Sequence, residues 1–540
     1  MAEPASPATR RAPSALTTTT LLVCAALVTM ALTASTQRGN GSRSHIALAV
    51  GLPLIALVAV VLALARARLA RVPMGRFLAA AVIALPALAV LGPAFALPSA
   101  RQLFAFRIVL ALVGLAGLLW LVLVHRRWHL EAATYVFLFG AWACWLTITL
   151  AWAPDPHAGL IYLFQFFSLG AVAAATASAG ISRRRLRYLL FGLALVLGLA
   201  LLVATAEWTL RVHLPTAATF HTLRRRPAAF FRNTNDFATY LAFCWPFILL
   251  LPALRRSAAT TLLVAAALVA SSAALLFSGS RSSLLAIGLE TFLVGGVIAL
   301  RSGRRARLIM AILAVVVLLG VGLLLVGRGG QFGNSFKVTN VVGQARSRQG
   351  SGGVRFELQL AGLRAAASRA FLGVGPGNAE VVVATQNPSF SVLNLHDWWM
   401  EVLVDGGLPG LFVFVTIYLL LLVSMARVAR YADDAWLRYL GAATAVALAG
   451  FSVAIIGPST AINFPPMAIL FGLAVAVLIR ARREDRPAGP ALGTGKSAVA
   501  AERPDLLDSG TEGANADRRR DPPPRPAFGS DGADRAGRSQ

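Results

Sequence analysis

Stretches of roughly 20 consecutive apolar residues recur along most of this chain, and they limit its possible folds more than any other feature. About 20 apolar residues carry a helix across the hydrocarbon core of a bilayer. One such run follows residue 16, and others lie near 45–65, 77–97, 104–124, 131–152, 158–180, 188–208, 236–254, 259–277, 283–300, 308–327, 404–426, 436–456 and 463–480. The pattern predicts an all-α polytopic integral membrane protein with about 14 transmembrane helices, about 12 being the lower count. A membrane barrel would alternate polar and apolar residues along its strands, which these runs do not. At 57% hydrophobic and 14% charged residues, the chain also lies outside the usual composition of soluble domains.

The first run ends in small residues, Ala31–Ala34, as a signal peptide would. Because further spans follow at once, it is read as an uncleaved first helix. The organisation expected is a cytoplasmic segment (1–16), N-terminal transmembrane helices (17–130) and a transmembrane core (131–327). A long extracytoplasmic loop (328–403), C-terminal transmembrane helices (404–482) and a disordered cytoplasmic tail (483–540), rich in Pro, Gly, Asp and Arg, complete it. Cys24, Cys144 and Cys244 all fall inside apolar runs, with neither disulfide nor metal spacing, and read as small hydrophobes.

A net charge of +27 raises the question of nucleic acid. The basic residues, however, fall mostly in short connectors, 66–76, 125–129, 182–187, 255–256, 301–307, 427–438 and 480–485, in alternate gaps between spans. That distribution marks cytoplasmic loops. It places both termini inside, leaves no nucleic-acid patch, and suits anionic lipid headgroups. The opposite set of connectors faces outward, and two of its members break the charge rule. One carries Arg224, Arg225, Arg226 and Arg232; the other carries Arg328, Lys337, Arg346, Arg348, Arg355, Arg364 and Arg369. Long loops translocate despite such charge, and an anionic ligand on the outer side gives the charge a purpose.

Three segments concentrate the polar chemistry. In Arg226–Ala238, arginines stand at the mouth of a span beside Asn233, Asn235 and Asp236. This reads either as a capped helix start with interfacial arginines or as part of a site. In Ser278–Ser283 a single arginine, Arg281, sits among hydroxyls with no local acid. It is either a snorkelling side chain or a fork of donors for phosphate or carboxylate. The long loop holds a helical pattern over Arg355–Phe371, with its apolar side toward lipid or the spans, then GVGPGN (373–378) and LHDWWMEVLVDGGLPG (395–410). GVGPGN lacks the spacing of a dinucleotide fingerprint and reads as a turn. His396 is able to take a proton from a hydroxyl near neutral pH. Asp397 and Glu401 are not at the spacing that pairs with it on a helix, so a carboxylate from elsewhere is expected to orient it. Trp398 and Trp399 read as an interfacial aromatic belt, or as a platform for a sugar face. No metal-ligand cluster, phosphate-cradling loop or serine nucleophile motif is visible, so the chemistry expected is acid/base and electrostatic, without metal or other cofactor.

In order and spacing these pieces resemble the O-antigen ligase / O-antigen polymerase family over about 150–480. The matching pieces are WAPDPHAGL, R-x-x-A-x-F-x-N-x-N-D-x-A, S-x-S-R-S-S, and a long loop bearing R-x-E, LGVGPGN and LHDWWMEVLVDGGLPG. Members typically have Gly where this chain has Ala229, and Asn where it has Asp397. The resemblance implies that His396 is the base activating an acceptor hydroxyl. It implies that Arg226 and Arg281 clamp the diphosphate of a polyprenyl-linked glycan, with Asn235, Glu401 and Asp397 in support. The expected activity is transfer of that glycan to a glycan or lipid acceptor at the outer face of the cell membrane. A repeat-unit polymerase shares the chemistry, and a multi-span transporter or flippase for lipid-linked oligosaccharide is the non-enzymatic rival. A flippase should carry charge deep within its spans, whereas the cations here sit in loops.

Overall fold

The structure is a computed structural model and describes residues 84–91, 130–211, 213, 226–254, 257–301, 350–386, 394–458, 462 and 464–484. The spans expected after residue 16 and near 45–65, 104–124 and 308–327 lie outside the described residues, as do most of 77–97, residues 302–349, and the tail. Among the described residues the fold is all helical. The helices are α1 (Leu130–Thr149), α2 (Pro156–Ser178), α3 (Arg183–Leu210), α4 (Thr234–Leu254), α5 (Ala258–Ser278), α6 (Arg281–Arg301), α7 (Gly350–Ser368), α8 (Ala379–Gln386), α9 (Trp398–Tyr431), α10 (Ala435–Ala454) and α11 (Pro465–Glu484). All of these except α6, α7 and α8 are long and apolar enough to cross a membrane, which makes eight candidate spans among the described residues.

Local chemistry sets the ends of these helices. Asp155 caps α2 by accepting the amides of His157 (2.9 Å) and Ala158 (3.2 Å), with Pro156 in the first turn where its missing N–H costs nothing. Ser182 and Ser257 cap α3 and α5. Asn233 and Asp236 cap α4 reciprocally: the Asp236 amide donates to Asn233 Oδ1 (2.8 Å), and Asn233 Nδ2 donates to Asp236 Oδ2 (2.9 Å). Gly279 closes α5 in the left-handed region, φ +73°.

The bundle core is built where α9 and α10 pack on each other, on α1, α4 and α6, and on α11, which also lies against α2. Trp398 is 1% exposed and wedged edge-on between Trp142 and Phe414. Trp399 packs against Phe414, Tyr418 and Phe451 and donates its Nε1–H to the Ser452 carbonyl at 3.1 Å. Neither tryptophan is therefore a belt or a sugar platform; both anchor the start of α9 in the core. That correction has a simple cause, because α9 begins at Trp398, earlier than the span expected from 404.

The segment before α9 has a small core of its own. Leu358, Ala361 and Ala365 of α7 meet Val374, Val383, Leu395 and Val404. The apolar side of α7 thus faces protein. GVGPGN is the turn expected, and its role is to bind the loop to α9. Val374 and Gly375 donate their amides to the carbonyls of Val404 (2.8 Å) and Asp405 (3.1 Å), and Leu408 donates to Phe371 O (2.8 Å). The Asp405 carboxylate takes the amides of Gly377 (3.0 Å) and Ala379 (2.9 Å). Trp152 and Trp145 donate ring N–H groups to Gly373 O (2.8 Å) and Gly406 O (2.6 Å). The buried Asn378 side chain accepts the Asp155 amide (2.7 Å) and donates to the Asp155 carbonyl (3.0 Å). The crossing is close enough that α9 is broken at Gly407, φ +68°, where a Cβ would meet the Phe371 carbonyl oxygen.

Gly407→Ala is therefore expected to lower the midpoint of thermal unfolding in detergent. With a Cβ, the backbone at φ +68°, ψ −171°, a region essentially reserved for glycine, costs about 1–3 kcal/mol, and the contact with Phe371 adds to it. Gly140→Ala, in α1 where nothing lies within 4 Å of the new atom, is expected to leave the midpoint unchanged or raised.

Candidate active site

The helix ends bring the motifs together. Gly279 and Ser280 join α5 to α6, and Arg281 opens α6. The Arg226 guanidinium lies over this turn: a Cβ placed on Gly279 would be 3.1 Å from its Nη1 and 3.3 Å from its Cζ. Glycine suits this position by its backbone angle, and a Cβ there would press on the Arg226 guanidinium. Arg226 and Arg281, 55 positions apart in the sequence, meet at one turn.

A third arginine continues the line. Arg355, half-buried on α7, has its pKa lowered first by burial and then by the positive charge of Arg281. Burial alone lowers that of Arg281. His396 comes next: burial, then the charge of Arg355, push its imidazole down to about 4. Arg226 at the Gly279 turn, Arg281 opening α6, Arg355 within electrostatic range of Arg281, and His396 within range of Arg355 together make a cationic neighbourhood whose imidazole is neutral at pH 7. None of the three guanidiniums has a carboxylate partner among the described residues. A guanidinium does not shed its proton, so these charges persist.

His396 is held by backbone chemistry, and the orienting carboxylate expected for it is absent among the described residues. Its φ is +52°, a left-handed conformation for a side chain other than glycine, costing about 1–3 kcal/mol where surroundings impose it. Asn394 Oδ1 accepts the His396 amide at 2.8 Å, and Asn394 Nδ2 donates to Glu380 of α8 at 2.9 Å. Nδ1 of His396 is buried with no hydrogen-bond partner among the described residues. On the other side of the motif, Asp397 caps α9 through the Trp399 amide (3.0 Å) and accepts from Gln359 Nε2 of α7 at 3.3 Å. Burial raises the Asp397 pKa, and amide hydrogen bonds from Met400 and Trp399 oppose that rise. An Asn at this position would serve the same cap, which explains how Asp397 fits a place where the related pattern has Asn.

The remaining expected residues are placed differently. Asn235 is half-buried in the first turn of α4 and makes no side-chain hydrogen bond among the described residues. Glu401 is buried in the first turn of α9, within electrostatic range of Tyr162 on α2, and the charge acting on His396 is that of Arg355 instead. Ala229 takes φ +48°, the conformation that explains the Gly of the related motif.

Sequence reasoning missed two residues. Arg355 was one arginine among many, yet it falls on the stripe 355, 358, 362, 365, whose other members are buried, while Arg364 and Arg369 are exposed. A cation on an apolar stripe was the available signal. Glu207, in the last turn of α3, is 2% exposed, and its Oε2 accepts the amides of Ala228 and Ala229, both at 2.8 Å. A lone acid at the end of a span gave no warning of that.

Residues 266–415 match the family model described as O-Antigen ligase. The match supports, over that part of the chain, the resemblance to the O-antigen ligase / O-antigen polymerase family. The match contains Arg281, Arg355 and His396, and Arg226 lies outside it. No curated protein matches the chain. With the eight helices long and apolar enough to cross a membrane, the match indicates a multi-pass membrane protein.

The depressed pKa has a direct check. Carbethoxylation by diethyl pyrocarbonate requires a neutral imidazole. An ordinary histidine, with a pKa near 6.5, loses about tenfold in reactivity by pH 5.5. His396 is expected to remain reactive there by peptide mapping. Arg355→Gln, by removing the second cause of the depression, is expected to bring its loss of reactivity to higher pH.

Proposed function

We propose that this protein is an integral membrane glycosyltransferase that moves a glycan from a polyprenyl diphosphate carrier to an acceptor hydroxyl, as an O-antigen ligase does. The reading rests on one observation above the others: three guanidiniums with no described counter-ion lead to a neutral imidazole. Polyprenyl diphosphate supplies the missing negative charge. Arg226 and Arg281 hold it, and Arg355 joins them between the diphosphate and His396. The basic connectors at 182–187 and 427–438 mark the opposite side as cytoplasmic, so the site faces outward and the loop at 328–403 is extracytoplasmic.

The reaction is a direct displacement with inversion. His396 takes the acceptor hydroxyl proton as that oxygen attacks the anomeric carbon. The bond from this carbon to the diphosphate oxygen breaks, and its electron pair leaves on the diphosphate. The arginines stabilise the charge gathering there, where fixed donors in a partly dehydrated site act more strongly than in water. The proton on His396 then returns to the departing diphosphate or to solvent, which restores the base.

His396→Ala is expected to abolish glycan transfer while the protein remains folded in the membrane; full activity would end the assignment. Loss of a charge-assisted hydrogen bond costs about 1.5–3 kcal/mol, so Arg281→Gln or Arg355→Gln is expected to lower kcat/KM by about 10- to 150-fold. Product analysis separates ligase from polymerase: one en bloc transfer marks the former, a ladder of repeat units the latter.

A further inference from the structure

The last turn of α3 touches both arginine motifs at once. Trp208 stacks on Phe277 of α5, ring centroids 4.6 Å apart and planes 23° from parallel. Phe277 lies two residues before Gly279, the glycine that Arg226 covers. The neighbouring Glu207 reaches the other motif, its Oε2 collecting the amides of Ala228 and Ala229 at 2.8 Å each. Its Oε1 lies 3.1 Å from Nδ1 of the buried His213, which α3 reaches by turning back at Arg211, φ +58°. One helical turn is thereby fastened to the segment bearing Arg226 and to the helix that ends at the Arg281 turn.

The segment it holds is stiff. Two amides converging on one oxygen fix the plane of the Ala228–Ala229 peptide, and the turn is closed by the Phe231 amide donating to Ala228 O at 2.9 Å. Pro227, with its φ locked by the ring, stands between that anchor and Arg226. Whatever fixes Ala228 therefore fixes the Arg226 Cα as well. Without an acceptor, two amides in a buried place would be left unpaired, and Ala229 would lose the constraint that holds its left-handed backbone.

We propose that Glu207 is a positioning residue: it sets the Arg226 guanidinium against the Gly279–Arg281 turn and so sets the width of the anion clamp. The inference rests on the donor assignment above. It requires an acceptor oxygen at the full reach of the side chain, and it does not require a charge. The usual ranking of substitutions is then reversed. Glu207→Gln keeps the length and an oxygen able to accept both amides, whereas Glu207→Asp keeps the charge but falls one methylene short.

The test uses the full-length protein in nanodiscs and undecaprenyl diphosphate as probe. Glu207→Ala and Glu207→Asp are expected to weaken binding about tenfold, and Glu207→Gln to stay within about threefold of wild type. In an Arg226→Gln background, Glu207→Ala is expected to add no further loss, since Glu207 acts through Arg226. Losses that multiply in the double variant, or Asp tolerated better than Gln, would overturn the proposal. If Glu207→Ala fails to fold, the Asp and Gln variants decide the matter by their order. Hydrogen exchange separates this inference from the donor assignment. Protection of the Ala228 and Ala229 amides, lost in Glu207→Asp and kept in Glu207→Gln, supports the strut whatever the ligand, and unchanged protection in both sinks it. A wild type that ignores the probe sinks the donor assignment itself.

Discussion

Like charges repel, and three guanidiniums do not gather at a partly dehydrated place unless something other than their own partners holds them there. At this end of the bundle four acids take backbone amides. Asp155 caps α2, Glu207 takes Ala228 and Ala229, Asp397 caps α9, and Asp405 takes Gly377 and Ala379. Each of these bonds stabilises a turn or a helix start. None of these four carboxylates neutralises Arg226, Arg281 or Arg355. The structure thus separates two tasks that acids often combine: it uses negative charge to hold the chain and withholds it from the cations. Cations left without such partners are attractive to an anion.

The scaffold explains why the arrangement is rigid. α7 and α8 share a small apolar core with the start of α9, and the GVGPGN turn is laced to the Gly406–Gly407 break by backbone hydrogen bonds. Arg355 precedes that lacing in the chain and His396 follows it, so the lacing fixes the backbones that carry both. Trp398, buried, and Trp399, partly buried, fix the same point at the head of α9 from the bundle side. The left-handed backbone of His396 is the strained element, and the Asn394 bond to its amide is the brace.

Much of this was legible in the sequence and some was not, for physical reasons. Apolar length fixes the class, because a bilayer has one thickness, and the eight apolar helices agree with it. Arg226, Arg281 and His396 stand out because each is polar where its surroundings are not. Arg355 was hidden by its neighbours: Arg364 lies on the same helix and Arg369 just past its end, and only packing tells which of the three faces inward. The tryptophans misled because residue type alone does not distinguish an interfacial ring from a core ring; the distinction depends on where the helix begins. Glu207 was invisible because its partners are backbone amides, which every residue but proline carries.

The low pKa of His396 looks at first like a handicap, since a base that binds protons weakly also abstracts them weakly. The cause of the depression resolves this. Part of it is the charge of Arg355, and that charge is what a bound diphosphate would offset. An anion set among the three arginines favours the protonated imidazole and raises its pKa toward neutrality. His396 by itself is neutral across the physiological range and a weak base; on the proposed function, a bound diphosphate would strengthen it at the moment when an acceptor hydroxyl can use it. On the proposed function, the same arginines would hold the leaving group and tie the strength of the base to the presence of the donor, so that water or a stray acceptor alone would meet only a feeble base.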